Sequence, residues 1–331
     1  MKVSVIATIL NEVQALERLL TSLEGQSRPP DEVVIADGGS TDGSLDLLQA
    51  WAAAGRLGLR VLRRPGANIS AGRNAAIAAA SGDVIAVTDA GVRLEPGWLE
   101  ALVALFEEQA AGGQFVAVVA GWFVADPQTL FEAAMGATVL PHVREIRTET
   151  FLPSSRSVAF RRAAWEAAGG YPEWLDYCED LIFDLRLRDL YGPFPFQPGA
   201  RVRFRPRGSL RAFFRQYYQY ARGDGRADLW RRRHLARYLT YLVAGPALLI
   251  LALFHSPWWW LALAAGLAVY TATPYRRLWP LLAGYGFLER LAAVLLVPVI
   301  RITGDVAKIL GYPVGLVWRR RNWERPEIHW R

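Results

Sequence analysis

Two acidic stretches hold the residue types best suited to chemistry. The first is VIAVTDAGV, residues 84–92, an apolar run that stops at Asp89 and continues into Ala90 and Gly91. A buried strand ending in a carboxylate aims an acid into the crevice at the sheet edge. Hard cations collect several oxygen ligands, so a metal site there usually offers two acids as D-x-D, and here Gly91 takes the second place. The second stretch is YCEDLIFDLRLR, residues 177–188. Glu179 and Asp180 are adjacent, so on a helix their side chains diverge: one can face a crevice while the other caps the helix or pairs with an arginine. Leu181, Leu185 and Leu187 form the apolar stripe, with Asp184, Arg186 and Arg188 expected outside it. The preceding GGYPEWL offers a Gly-Pro loop and aromatic rings, a suitable wall for a sugar.

Three further stretches are weaker alone. In DGGSTDGS, 37–44, Gly38 and Gly39 allow a sharp turn and Ser40, Thr41 or Asp42 can cap the next helix. Asp37 precedes the glycines, where a carboxylate can accept the N–H of a pyrimidine or guanine ring. In NISAGRNAAIAAASGD, 68–83, the residues are so small that something must approach the helix closely. Arg73 near its start can meet a diphosphate aided by the helix dipole, although spacing alone favours a surface arginine. In FFRQYYQYARGDGRADLWRRRH, 213–234, Arg215, Gln219 and Arg222 fall on one helical face among tyrosines.

The elements that must position these residues follow from periodicity. Apolar runs at 3–9, 31–37, 59–64 and 83–89 read as strands, and 12–23, 45–54, 70–80 and 96–109 as helices between them. This alternation predicts a parallel sheet wound with helices, with ligands at the carboxyl ends of the strands. Asn11, Asp37 and Asp89 all sit at such ends. After residue 115 the pattern becomes mixed and less regular.

Composition bounds the class. The 331 residues include one cysteine, Cys178, and four scattered histidines. These exclude a disulfide framework, cysteine-cluster metal sites and, by scatter, a histidine zinc site, and they fit a reducing compartment. The net charge of +7 is concentrated: Arg201 to Arg237 holds 12 arginines against Asp224 and Asp228. That block precedes two apolar runs, 238–254 and 258–274, each about 17 residues and at the lower limit for a bilayer span. Trp258 to Trp260 would form an interfacial belt. Arginines at 231–233 and 276–277 flank the pair on one side, which places the N-terminal domain in the cytoplasm by the positive-inside rule. The basic helix then reads as interfacial, on an anionic bilayer rather than on nucleic acid. Residues 279–318 fit a further hairpin or helices lying in the interface.

Taken in order, ATILNE, VVIADGGSTDGS, SAGRNAAIAAASGDVIAVTDAG, SVAFRRAAWEAAGGYPE, CEDLIFDLRLR and QYARG resemble family 2 glycosyltransferases, over about residues 3–225. The resemblance implies an α/β, GT-A (Rossmann-like, nucleotide-binding) domain and inverting transfer of a sugar from a nucleotide-diphosphate donor to an acceptor hydroxyl. It implies that Thr8, Asn11 and Glu12 line the nucleotide pocket, that Asp37 binds the base and that Arg73 lies near base or diphosphate. Asp89 matches the first acid of D-x-D and would be the metal ligand. Asp180, beside Glu179, would be the general base. Gln219 and Arg222 open the family's Q-x-x-R-W, with Gly223 replacing the tryptophan. A divalent cation, Mg or Mn, is therefore expected only in altered form. The organisation expected is a cytosolic domain over 1–212, an interfacial helix over 213–237, a transmembrane hairpin over 238–274 and further membrane-associated helices over 275–331. Together these describe a multi-pass inner-membrane enzyme acting on a lipid-linked or membrane-proximal acceptor in cell-surface glycan or glycolipid synthesis. The competing readings are a catalytically weak nucleotide-sugar-binding protein and a nucleotidyltransferase of similar fold.

Overall fold

A computed structural model describes residues 1–110 and 112–331. It divides into two compact units, Met1–Asp126 with Val143–Arg205, and Pro127–His142 with Pro206–Arg331. Along the chain the elements run β1 (Val3–Ile9), α1 (Val13–Glu24), β2 (Glu32–Asp37), α2 (Ser44–Ala53), β3 (Leu59–Arg63), α3 (Ile69–Ala79), β4 (Val84–Val87), β5 (Val92–Leu94), α4 (Trp98–Ala110) and β6 (Val118–Ala125). Helix α5 (Leu130–Val139) belongs to the second unit, and the first resumes with β7 (Val158–Arg161), α6 (Arg162–Ala167), α7 (Glu179–Tyr191) and β8 (Phe196–Phe204).

The strands form one eight-stranded sheet in the order β3-β2-β1-β4-β7-β6-β8-β5. The first four are parallel, as the alternation predicts, and β7 joins β4 antiparallel, opening the mixed half. Strands β1 and β2 are apolar on both faces because helices cover both sides. Val3, Val5 and Ala7 pack with the Leu16, Leu19, Leu20 and Leu23 stripe of α1. Ile6, Val34 and Ile85 point the other way, onto Ala76 and Ile77 of α3 and Phe183 of α7. The edge strand β5 and its neighbour β8 have no counterpart in the periodicity. The register places Ile9 of β1 beside Asp37 of β2, and Ile6 beside Val87 at the end of β4. Asn11, Asp37 and Asp89 thus lie at or just past neighbouring strand ends.

In the second unit, α8 (Leu210–Ala227), α9 (Arg231–Tyr238), α10 (Gly245–Phe254), α11 (Trp259–Leu278) and α12 (Phe287–Arg321) follow. A π-helical stretch, Leu239–Ala244, joins α9 to α10. Pro246 lies just beyond it and has no N–H to give the helix ladder. Helices α8 and α12 touch backbone to backbone: a Cβ on Gly311 would stand 2.3 Å from the Tyr218 carbonyl oxygen, and one on Gly315 2.2 Å from that of Arg222. The basic, tyrosine-rich segment forms a helix over Leu210–Ala227, α12 packs against it at Gly225, and Gly223, the residue at the family's tryptophan position, is buried.

Among the described residues one helix, Arg231–Phe254, is long and apolar enough to cross a membrane. The second arm of the expected hairpin does not match it. In α11, tryptophan, tyrosine and threonine dilute the apolar residues, and the helix runs through Pro274 to Arg276 and Arg277. The structure therefore does not support a multi-pass arrangement.

Candidate active site

The ends of β1 and β2 are tied together by side-chain-to-backbone hydrogen bonds. Asn11 adopts a left-handed backbone (φ 57°), which asparagine tolerates better than most residues. Its side-chain oxygen accepts the Thr41 N–H at 2.9 Å, while its own N–H donates to Ser40 Oγ at 3.0 Å. The Glu12 N–H donates to Ser44 Oγ and the Val13 N–H to Asp42 Oδ2, each at 3.0 Å. Asp37 is buried and accepts the N–H groups of Gly39 (3.2 Å) and Ser40 (3.0 Å), holding the turn in which Gly39 has φ +104°. Thr8 supports α3: a Cβ on Gly72 would lie 2.8 Å from Thr8 Cγ2, so β1 is what approaches the small-residue helix closely.

One turn of α3 carries Arg73, which is inside the protein rather than on its surface, with 2% of its side chain exposed. Its Nη2 donates to Asp89 Oδ1 at 2.8 Å and its Nη1 to Glu179 Oε1 at 2.7 Å. One guanidinium fork thus joins the end of β4 to the start of α7, a geometry that lysine cannot supply. Arg156 approaches the other oxygen of Asp89 at 3.8 Å, its guanidinium stacked over Phe204. Tyr171 lies under Arg73, with its hydroxyl 3.1 Å from Ser155 Oγ. The opposite face of α3 lines an open groove of about 690 Å³ with Arg64, Asn74, Trp165 and Glu173, turned away from the acids.

Asp180 is the second residue of α7, and its Oδ1 accepts the Leu181 N–H at 2.9 Å. Burial raises its pKa above the ordinary carboxylate value, against the pull of Arg73 and Arg156. Burial, together with the Asp180 charge, raises Glu179 to about 7 despite its bond to Arg73. Asp89 responds the other way: burial opposes its charge, and Arg73 and Arg156 overcome this, lowering its pKa. Asp184, expected on the outer face of α7, is instead buried with Oδ2 lacking a hydrogen-bond partner, and burial beside Asp180 raises its pKa far up. It lies one helical turn from Asp180, where a neutral acid is compatible with an apolar wall. Three carboxyls with raised pKa values beside one held ionised by two arginines make a site able to accept a proton and to hold a cationic group.

The profile described as Glycosyl transferase family 2 matches residues 4–167, the region that carries both strand-end clusters and β7. That region belongs to the family. Pre-mycofactocin glycosyltransferase of Mycobacterium tuberculosis is 28% identical over 263 residues, covering 75% of this chain and 51% of its own length. The chain therefore spans about half the length of that relative. Succinoglycan biosynthesis protein ExoA of Rhizobium meliloti is 29% identical over 69% of this chain and 70% of its own. The fold of the mannosyltransferase PcManGT from Pyrobaculum calidifontis, solved with GDP-Man and Mn2+, aligns with a TM-score of 0.63 at 20% identity, covering 93% of this chain and 87% of that one. TarS of S. aureus, solved with UDP-GlcNAc, aligns with a TM-score of 0.50 at 19% identity over 97% and 92%. The first unit of this glycosyltransferase is thus a GT-A-like sheet.

Of the residues singled out in the sequence, the structure brings Arg73, Asp89, Glu179 and Asp180 into one cluster, and Thr8, Asn11, Glu12 and Asp37 to the neighbouring strand ends. Gln219 and Arg222 lie on α8 in the second unit, where Gln219 Oε1 is buried without a partner. Sequence reasoning missed Arg156, placed Asp184 outside the apolar stripe and offered Tyr171 only as one of the aromatic rings of GGYPEWL. Only the SSRSVAF context of Arg156, an arginine just before a strand, was available as a signal. Among the described residues no group of three acids, histidines or cysteines could hold a metal. Asp89 is one carboxylate already shared by two arginines, so a cation held there would need oxygen ligands from outside the described side chains.

The acid pair predicts the pH response of this glycosyltransferase. A base must be deprotonated to act, and burial raises its pKa, so kcat/KM should rise with pH along a limb set above the ordinary 3.8 of aspartate. Glu179 beside it is raised to about 7, and the two adjacent charges interact, so the limb reports the pair rather than Asp180 alone. A pH–rate profile already flat at and above pH 4 to 5, about where an unshifted carboxylate titrates, would contradict it.

Proposed function

We propose that the enzyme transfers a sugar, with inversion, from a nucleotide-diphosphate donor to a hydroxyl of a lipid-linked or membrane-proximal acceptor in cell-surface glycan or glycolipid synthesis. The observation that carries this reading is the pair Glu179–Asp180, the first buried and tied to Asp89 through Arg73, the second half-buried and left with a single backbone hydrogen bond. An inverting displacement needs one base on the acceptor hydroxyl and countercharge on the departing diphosphate. Asp180 takes the acceptor proton as the hydroxyl oxygen attacks the anomeric carbon and the diphosphate leaves. Glu179 is a positioning residue that fixes Arg73. Thr8, Asn11, Glu12 and Asp37 line the nucleoside site, and Gln219 and Arg222 contribute to donor binding on the strength of their motif. Membrane attachment through Arg231–Phe254 fits an acceptor held at an anionic bilayer. The sugar-nucleotide names attached to the structural neighbours differ in base, GDP in one and UDP in the other, so the donor base is left to experiment.

The test is thermal shift of the full chain against UDP, GDP, CDP and TDP sugars, with and without Mn. One donor should stabilise the protein above the rest, and its turnover should release nucleoside diphosphate; release of pyrophosphate would identify a nucleotidyltransferase instead. A divalent ion at Asp89 would draw its remaining ligands from the diphosphate and water. Gly91→Asp supplies a second acid, and a Cβ there meets nothing within 4 Å. This variant should bind Mn more tightly in the presence of donor, by roughly tenfold for one added carboxylate ligand. If no donor stabilises the protein under any condition, the reading fails.

A further inference from the structure

The second unit contains a cluster of charged and phenolic groups that the sugar-transfer reading does not use. On α12, Arg301, Asp305 and Lys308 follow at intervals of four and three and share a face. Asp305 is fully engaged: Oδ1 accepts from Arg237 Nε at 2.7 Å, and Oδ2 accepts from the hydroxyls of Tyr270 (2.6 Å) and Tyr241 (3.1 Å). Tyr241 belongs to the π-helical stretch, a distortion often found at functional positions. Asp224, the other acid nearby, bonds His234 at 3.1 Å.

Arg301 and Lys308 are left with aromatic rings and no carboxylate. The Arg301 guanidinium lies 4.3 Å over the Tyr270 ring, and its Nε is shielded from water with no acceptor. The Lys308 amine lies 4.8 Å over the Tyr217 ring. Neither is within 4 Å of an acid among the described residues. Ring faces attract a cation but accept few hydrogen bonds, so among the described residues the donors of both side chains have no oxygen acceptor, and Arg301 Nε is cut off from water as well. On another face of the same helix Leu295, Val299, Ile302, Val306, Leu310 and Val314 form an exposed apolar stripe at helical spacing.

We infer that Arg301 and Lys308 bind the phosphate headgroup of a lipid whose apolar chains lie along the α12 stripe. A phosphate supplies the several charge-assisted acceptors that both cations lack. The stripe selects a phosphate carried on hydrocarbon over a free one. The inference stands apart from the sugar-transfer reading, and its test reads binding rather than turnover, so either can fail alone.

The probes are dioctanoyl phosphatidic acid, dioctanoylglycerol and inorganic phosphate, each titrated into the full chain in detergent. Phosphatidic acid should bind roughly tenfold or more tightly than either other probe, and Lys308→Gln and Arg301→Gln should each cost roughly tenfold. Removing the same charge elsewhere on the helix, in Arg320→Gln/Arg321→Gln, should change affinity by less than about twofold. The chain has two lysines, Lys2 and Lys308. Phosphatidic acid should therefore slow amine acetylation at Lys308 and leave Lys2 unchanged, a readout on the unmutated protein. Equal loss in the Arg320/Arg321 variant, unprotected Lys308, or inorganic phosphate binding as tightly as the lipid would each overturn the proposal.

Discussion

Asp180→Asn is expected to lower kcat by roughly 10²- to 10⁴-fold, the range for loss of a general base, while donor nucleotide binding changes little. The substitution keeps the shape of the side chain, and the asparagine oxygen can still accept the Leu181 N–H that Asp180 accepts at 2.9 Å. What is removed is the ability to take a proton. Stability should move in the opposite direction to activity. The folded state raises the Asp180 pKa, so its charged form costs stability at every pH above the unfolded value of 3.8. A neutral amide removes that cost, and the melting midpoint at neutral pH should hold or rise. Turnover is read as nucleoside-diphosphate release from the stabilising donor, with membranes supplying acceptor. Turnover within about tenfold of the parent would remove Asp180 from the role of base. Glu179→Gln provides the contrast: it loosens Arg73 but leaves the base in place, so its effect on kcat should be smaller and its effect on stability larger.

The parallel half of the fold was legible because its strands are apolar on both faces and its helices keep a regular apolar stripe. The strand-end residues were legible for the same reason, since topology sends strand ends to one edge. What was not legible depends on long-range pairing. Asp184 reads as an outer-face residue by local periodicity, yet it is buried, because α7 packs with Ile6, Val34 and Ile85 of the sheet through Phe183 and Leu187 on either side of it. Arg73 reads as a surface arginine because its partners lie 16 and 106 residues away in the chain. β5 and β8 escape for a similar reason: β5 is defined by its pairing with β8, and β8, held between β6 and β5, interrupts its pattern with Pro198 and Gly199. Asp89 shows the gain from adding geometry. As a residue type it is half of a metal motif, whereas in the fold it is an ionised acid held by two arginines.

That arrangement makes Arg73 the position whose loss should most affect the folded state. Removing one partner of a buried ion pair typically costs about 3–5 kcal/mol, since the other charge is left uncompensated. Arg73 has two such partners, and with 2% of its side chain exposed water screens little of the loss. Arg73→Met, which keeps the bulk of the aliphatic stem, should therefore lower the melting midpoint of the full chain by roughly 6–20 °C. The deficit should depend on pH in a defined direction. Without the guanidinium, Asp89 and Glu179 gain stability by taking up protons, so the gap between variant and parent should narrow as pH falls: the Glu179 part is complete by about 7, where Glu179 titrates in the parent, and the Asp89 part continues into acid, because Arg73 lowers that pKa in the parent. Arg73→Lys should lie between the two, because one ammonium restores the charge but cannot reach both acids in the fork geometry. A midpoint within about 2 °C of the parent, or a gap that widens in acid, would mean that the cluster tolerates loss of its central cation and that Asp89 and Glu179 are held by other means.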